Sequence, residues 1–380
     1  VYVEGNKGLF DGVDSLGSDS NAALAHQLGL PVVLFVNARG ITRGIAPMLC
    51  GYEHFSKDRS YAGIILNEVA GPRHEAKLLA AVKEYTDLQV LGVVPKLSKL
   101  HLEERHIGLV PQNEAQYSDA YIRKTRDLVR EHVDIERMLE RSVTLSAPEP
   151  GSQHAHEAGD GQADLKIGIA RDRAFGFYYP DDLHAMQQYG AELVFFDTLR
   201  DRELPRVDAL FIGGGFPETQ LEALQENAGM REQIRRFIDA GKPVYAECGG
   251  LMYLCEDISY LGKRAEMVGI IDASVNMTDK PIGRGYAKIQ ASADHLWGDE
   301  VGADVQRACH EFHYSTLEGA ARDSEMAYKV LRGYGVNGVS DGIMVKNTLA
   351  TYCHQRHTDN NPWVSQFINF IRKTRNHESN

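Results

Sequence analysis

Cysteine is scarce in this chain: five in 380 residues, scattered at Cys50, Cys248, Cys255, Cys309 and Cys353. No two form a Cys-x-x-Cys pair, which removes the usual zinc reading, and so small and odd a number fits a reduced, cytoplasmic setting. Basic charge is also short, since 41 Lys and Arg against 53 Asp and Glu leave a net charge of −12. That balance excludes a nucleic-acid surface and any general attraction to anionic lipid. No apolar run approaches the roughly 20 residues of a membrane span, and no signal-peptide pattern opens the chain. The phosphate-loop pattern Gly-x-x-x-x-Gly-Lys-Ser/Thr is missing as well.

What is present reads as ordinary globular protein of about two domains, with 43% hydrophobic and 25% charged residues. From Val1 to about Arg141, short apolar runs alternate with amphipathic stretches. Strands are expected at 1–5, 31–38, 61–67 and 90–95, and helices at 21–27, 45–54 and 74–86, with a long charged helical stretch over 114–141. Continuous apolar strands separated by helices imply a parallel sheet covered on both faces. Around 146–163 the chain turns poor in large apolar residues and rich in Pro, Gly and Ser, as an exposed linker does. His154 and His156 lie there, but two histidines without a third ligand do not make a metal site. A second α/β pattern follows, with strands at 165–170, 191–196, 207–212 and 243–247 and helices between them.

The last of these strands delivers Val244-Tyr245-Ala246-Glu247-Cys248-Gly249-Gly250-Leu251. A thiol between a strand and two glycines reads as a nucleophile elbow, where close backbone approach is needed. The unpaired N–H groups of a following helix stabilise negative charge at that point. Read alone, the peptide equally suits a buried structural thiol. A nucleophilic Cys248 needs a base, and His354 stands just past an apolar run at 349–352. His310 and His313 compete for the same role. Gly213-Gly214-Gly215-Phe216-Pro217-Glu218 follows a strand and precedes a helix; its backbone N–H groups could hold the oxyanion of an acyl intermediate, or it is a plain tight turn. In the first half, Glu4-Gly5-Asn6-Lys7-Gly8-Leu9-Phe10-Asp11-Gly12 sets two carboxylates around a glycine-rich loop, which suits Mg²⁺ with phosphate oxygens.

In this order, these motifs resemble the cobyrinic acid a,c-diamide synthase family of glutamine amidotransferases. The likeness also runs through Phe177-Tyr178-Tyr179-Pro180, Gly190-Ala191-Glu192-Leu193 and His310-Glu311-Phe312-His313-Tyr314-Ser315, so it covers essentially the whole chain. It implies an α/β protein of two domains. An ATP- and substrate-binding synthetase domain similar to dethiobiotin synthetase spans 1–143, a linker 144–164, and a class I glutamine amidotransferase-like domain 165–376. The family's phosphate loop would precede Val1, so the first domain is expected to be N-terminally incomplete. The resemblance further implies ATP and Mg²⁺ as cofactors, glutamine and a tetrapyrrole carboxylate as substrates, no nucleic-acid or membrane partner, and room for a homodimer.

By the same resemblance Cys248 attacks glutamine and His354 moves protons, while Gly214 and Gly249 supply oxyanion-hole backbone. Glu4 matches an acid for Mg²⁺–ATP, Asp11 a residue near the reacting carboxylate, and Asn67 an adenine contact. Many amidotransferases of this broad class carry His-x-Glu, whose acid orients the imidazole; here Arg356 stands at that position. The substrate expected is cobyrinic acid, with siroheme or nickel-sirohydrochlorin as alternatives toward which Lys280–Tyr286 and Arg332–Val336 lean. A non-catalytic ligand-binding protein on a degenerate phosphate-loop scaffold and an ATP-independent thiol hydrolase are the readings of other classes.

Overall fold

A computed structural model describes residues 2–55, 60–96, 104–105, 108–109, 119–143, 163–298, 301–302, 305–319 and 326–378. The expected linker, with His154 and His156, lies outside the described residues except for 163 and 164. The chain divides into two compact units, Val1–Gly151 and Ser152–Asn380. Among the described residues no helix is long and apolar enough to cross a membrane.

The first unit holds a parallel sheet of β1 (Val32–Asn37), β2 (Tyr61–Val69) and β3 (Val90–Pro95), in that order. Helices α1 (Asn21–Gln27), α2 (Ile45–Phe55) and α3 (Pro72–Tyr85) alternate with them. Ile64, Ile65 and Leu66 of β2 are buried in succession, which requires cover on both faces of the sheet. Ile45 and Leu49 of α2 and Leu78 and Val82 of α3, each pair four apart, supply part of it. Two short strands, β4 (Glu104–Arg105) and β5 (Gly108–Leu109), form a separate antiparallel pair.

Two expectations fail in this unit. Residues 2–5 form no strand: Tyr2 and Val3 are 68% and 50% exposed, so neither buries the apolar surface that would anchor a strand on the sheet. The charged stretch at 114–141 is not one helix but α4 (Asp119–His132) and α5 (Ile135–Glu140), with 114–118 outside the described residues. Val133 leaves the helix to bridge Gly92, and the Asp134 N–H bonds the Leu91 carbonyl at 2.8 Å. Asp134 then caps α5 by accepting from the Arg137 N–H at 2.9 Å. Pairing with β3 outweighs helical continuity.

The second unit contains β6 (Leu165–Ala170), β7 (Phe175–Phe177), α6 (Pro180–Gln188), β8 (Ala191–Phe196), β9 (Ala209–Ile212) and β10 (Gly214–Gly215). Next come α7 (Leu221–Glu226), α8 (Ala228–Asp239), β11 (Val244–Glu247) and α9 (Gly249–Leu254). Strands β12 (Cys255–Tyr260), β13 (Lys263–Glu266), β14 (Ile271–Met277), β15 (Gly283–Ala291), β16 (Gln306–His313) and β17 (Ser315–Glu318) follow. The chain then forms β18 (Met326–Arg332), β19 (Ser340–Val345), β20 (Thr348–Thr351) and α10 (Trp363–Glu378). The main sheet runs β16-β15-β18-β19-β20-β11-β9-β6-β8, parallel from β20 to β8 and antiparallel beyond. A second sheet runs β13-β12-β14-β17, and β7 pairs with β10.

Every residue of β9, β11 and β20 is buried, because each strand divides its side chains between two apolar layers. Leu210, Ile212, Val244 and Ala246 face a layer with Met230, Ile234 and Ile238, one stripe of α8 at four-residue spacing. Ala209, Phe211 and Tyr245 face the other layer, with Trp363, Phe367 and Ile371 of α10. The central strands are therefore held from both sides, and their C-terminal ends all open at one edge.

At that edge α9 lies so close to β9 that a Cβ on Gly250 would collide with the Ile212 carbonyl. Gly250→Ala is thus expected to destabilise the second unit by about 3 kcal/mol. A chemical denaturation midpoint that stays at the wild-type value would refute the close packing.

Candidate active site

Parallel pairing in register places Glu247 beside Thr351, so the residues just past β11 and β20 emerge together. The Cys248 N–H donates to the Thr351 carbonyl at 2.7 Å, and the Met252 N–H to the Cys248 carbonyl at 3.0 Å. Between these anchors Cys248 adopts φ 49° and ψ −103°. That conformation costs a non-glycine residue roughly 1–3 kcal/mol and persists only where its surroundings over-determine it. The thiol is 7% exposed.

Four residues expected from sequence come together here. The His354 imidazole is 12% exposed and hydrogen-bonded to Cys248. Gly214 sits so close beneath the imidazole that a Cβ would strike its Cε1. Across the elbow, a Cβ on Gly249 would meet the Gly215 backbone N at 3.0 Å. The glycine run is not a simple strand-to-helix turn, because β10 interrupts it to pair with β7 before the short helix Pro217–Thr219. The loop's backbone at Gly215 thus lies against Gly249 of the elbow.

His310 and His313 do not take the place beside the thiol. His310 is the backbone partner of His354, with N–H to carbonyl distances of 3.1 and 2.7 Å in the two directions. His313 stacks on Tyr352 at 3.8 Å between centroids, and its Nδ1 donates to the Ser315 carbonyl at 3.0 Å. Burial pushes its pKa down to about 4. Neither forms a hydrogen bond to Cys248 among the described residues.

Two carboxylates at this edge escaped the sequence reading. Asp341, fully buried, accepts from Gly342 N, Thr351 Oγ1, Tyr352 N and Cys353 N at 2.6–2.9 Å, and so shapes the chain leading to His354. Glu247 sits one residue before Cys248, with Oε2 3.4 Å from His354 Nδ1. In the sequence it is the one charged residue of the strand 243–247 next to the thiol, and that is the signal that marks it. Arg356, where the His-x-Glu acid would stand, pairs instead with Asp181 at 2.7 Å. Asp182, its pKa raised to about 7 chiefly by burial, accepts from His357 N at 2.8 Å and Trp363 Nε1 at 3.2 Å, pinning the segment after His354.

Glu4, Asp11 and Asn67 belong to the first unit. Asn67 is exposed near the C-terminal end of β2, in register with Asn37 of β1. Glu4 and Asp11 are exposed on the loop preceding α1. That loop is tied by Asn21 Nδ2 to the Lys7 carbonyl at 2.6 Å, by the Lys7–Asp19 ion pair at 2.7 Å, and by Phe10 packing on Tyr52 and Phe55. Among the described residues no three His, Cys, Asp or Glu side chains converge as a metal cage. Mg²⁺ bound with nucleotide needs only one or two carboxylates beside phosphate oxygens and water, so an exposed Glu4 fits it.

A buried thiol paired with an imidazole at converging strand ends of one α/β unit, in a chain that also carries a parallel-sheet unit, marks the chemistry of a glutamine amidotransferase joined to a nucleotide-using domain. Residues 166–363 match the CobB/CobQ-like glutamine amidotransferase domain, and residues 1–104 match an AAA domain. The chain is 41% identical over 378 residues to a cobyrinate a,c-diamide synthase of Magnetococcus marinus, covering 98% of this chain and 80% of that protein. With the enzyme of the same name from Archaeoglobus fulgidus it is 37% identical over 372 residues, covering 97% and 79%. The structure of PurLQS from Thermotoga maritima is 14% identical, with a TM-score of 0.43, covering 55% of this chain and 98% of that one. The chain belongs to the cobyrinate a,c-diamide synthase family, and it is a glutamine-dependent amide ligase that uses ATP.

Burial alone would lower the pKa of His354, but hydrogen bonds to Cys248 and Glu247 and the negative charge of both push it up to about 10. A raised histidine pKa stabilises the fold fully below its ordinary 6.5, and that contribution is lost as pH rises through about 10. The His354 ring proton resonance is therefore expected to titrate near pH 10, and to move to lower pH in Cys248→Ala. A wild-type titration near the ordinary value would refute this support of the imidazolium.

Proposed function

We propose that this chain amidates the peripheral acetate carboxylates of cobyrinate, at the a and c positions, with ammonia cut from glutamine at Cys248. The observation that carries this reading is the Cys248–His354 pair, in a family whose relatives bear the name cobyrinate a,c-diamide synthase. Cys248 Sγ attacks the side-chain amide carbon of glutamine, and the carbonyl oxygen becomes an oxyanion near the Gly214 and Gly249 N–H groups. His354 delivers its proton to the departing nitrogen; the C–N bond breaks, and ammonia leaves a thioester on Cys248. Water then attacks the thioester, His354 takes its proton, and glutamate departs as the thiolate returns.

In the first unit, the γ-phosphoryl group of ATP passes to an acetate carboxylate, giving an acyl phosphate that ammonia attacks with loss of phosphate. Glu4 would hold Mg²⁺, which neutralises phosphate charge when bound. Asp11 lies toward the reacting carboxylate and Asn67 toward the adenine. Lys280–Tyr286 and Arg332–Val336 lean toward siroheme or a nickel-sirohydrochlorin, but the relatives at 41% and 37% identity bear the cobyrinate name and support this reading instead.

Cys248→Ser is expected to lower glutamine-dependent amidation and glutamate release by roughly 10³-fold or more, while amidation supported by added ammonia persists. Product analysis by mass spectrometry should show two amides on cobyrinate. Turnover of sirohydrochlorin derivatives with cobyrinate untouched would overturn the substrate, and glutamate release undiminished in Cys248→Ser would overturn the nucleophile.

A further inference from the structure

An imidazole that shuttles protons needs an acid behind it, and the usual His-x-Glu position holds Arg356, turned away to Asp181. Glu247 reaches the same ring nitrogen from the opposite direction in sequence. Tyr245 and Glu247 share one face of β11, as residues two apart on a strand do. The Glu247 carboxylate is only 3% exposed. Its Oε1 accepts from Tyr245 Oη at 2.7 Å and from the Gln355 N–H at 2.9 Å, which leaves Oε2 for His354 Nδ1. With Nδ1 committed to Glu247, Nε2 is the ring nitrogen left for the thiol.

The carboxylate is itself clamped. Gln355 Nε2 donates to Tyr245 Oη at 3.0 Å and to Tyr328 Oη at 3.1 Å. The Tyr245 ring is wedged among Phe211, Trp297, Trp363 and Phe367, with centroids 4.9–6.0 Å away. Burial pushes the pKa of both phenols upward, so they stay neutral and Tyr245 remains a donor to Glu247. Gln355 directly follows His354, so one short segment supplies both the base and the amide that fixes the base's acid.

We propose that Glu247 is the positioning residue for His354, orienting its ring and supporting its charged form, and that Tyr245 and Gln355 are the clamp that aims Glu247. This inference rests on the reading of Cys248 as nucleophile and His354 as proton carrier. The titratable groups that face His354 are Cys248 and Glu247 on the elbow side and His310 and His313 from β16. Around Glu247 stand Tyr178, Tyr179, Asp182 and Tyr245. Glu247 is the anion among them that faces the Nδ1 side of the ring.

The test is glutamine hydrolysis by the full chain as a function of pH. Glu247→Gln keeps size and the bonds to Tyr245 and Gln355, but turns an amide N–H₂ toward Nδ1 and favours the wrong tautomer. It should lower kcat by roughly 10²–10⁴-fold with little change in KM, and move the alkaline limb of the profile to lower pH as the imidazolium loses its support. Glu247→Asp keeps the charge at a longer reach, and should leave that limb in place while recovering part of kcat. Tyr245→Phe removes only the clamp, and should lower kcat less than Glu247→Gln. With Cys248→Ser inactive, wild-type kcat and an unmoved limb in Glu247→Gln would overturn the proposal. If Glu247→Gln does not fold, wild-type kcat in both Glu247→Asp and Tyr245→Phe would overturn it equally. Undiminished hydrolysis by Cys248→Ser would instead sink the nucleophile reading on which it stands.

Discussion

The left-handed backbone at Cys248 is the constraint around which the amidotransferase unit is arranged. A side chain at φ 49° strains against its own backbone, and nothing local relieves it. The strain is held by three parallel strands, β9, β11 and β20, locked in register between two apolar layers. Their ends cannot slip without exposing those layers, so the turn between β11 and α9 must be sharp. Gly250 makes the turn sterically feasible against Ile212, and the bond from Cys248 N to Thr351 O ties it to the strand that leads to His354. Strain at the thiol and placement of the base are consequences of one packing solution.

Electrostatics completes what packing begins. Glu247, Cys248 and His354 are all shielded from water, where unpaired charge is costly. The penalty is offset because the Glu247 carboxylate stands beside the imidazole and itself accepts hydrogen bonds from Tyr245 and Gln355. Shielding also strengthens these interactions relative to water. His313 lies close by, yet burial first and then the charge of His354 push its pKa the other way, against the Ser315 carbonyl. Two histidines that the sequence leaves as rivals are thus made chemically opposite by their neighbours.

Much of the architecture was legible because it depends on periodicity. Strands at Val32–Asn37, Tyr61–Val69, Val90–Pro95 and Leu165–Ala170 lie where continuous apolar runs required them, and α1 spans the segment expected. The failures came where pattern and tertiary context disagreed. The stretch ending at Arg141 carries helical periodicity throughout, but Val133 is worth more paired with Gly92 than inside a helix. Residues 2–5 have strand-forming side chains but no apolar surface to cover. In the glycine run after Ile212, the pairing of β10 with β7 has no local signature, because both strands are too short to show alternation.

By itself the sequence determined the thiol, its glycines and the family, since these rest on residue identities at fixed spacing in the chain. It also narrowed the base to a few histidines. Tertiary structure alone separated them by place, because the register of β11 with β20 brings His354 rather than His310 or His313 to Cys248. It alone set a carboxylate beside that ring. Glu247 and His354 are over a hundred residues apart, and no spacing rule links a carboxylate before the nucleophile to a ring beyond another strand. Their meeting is decided by the parallel sheet, whose strand ends collect distant residues at one edge.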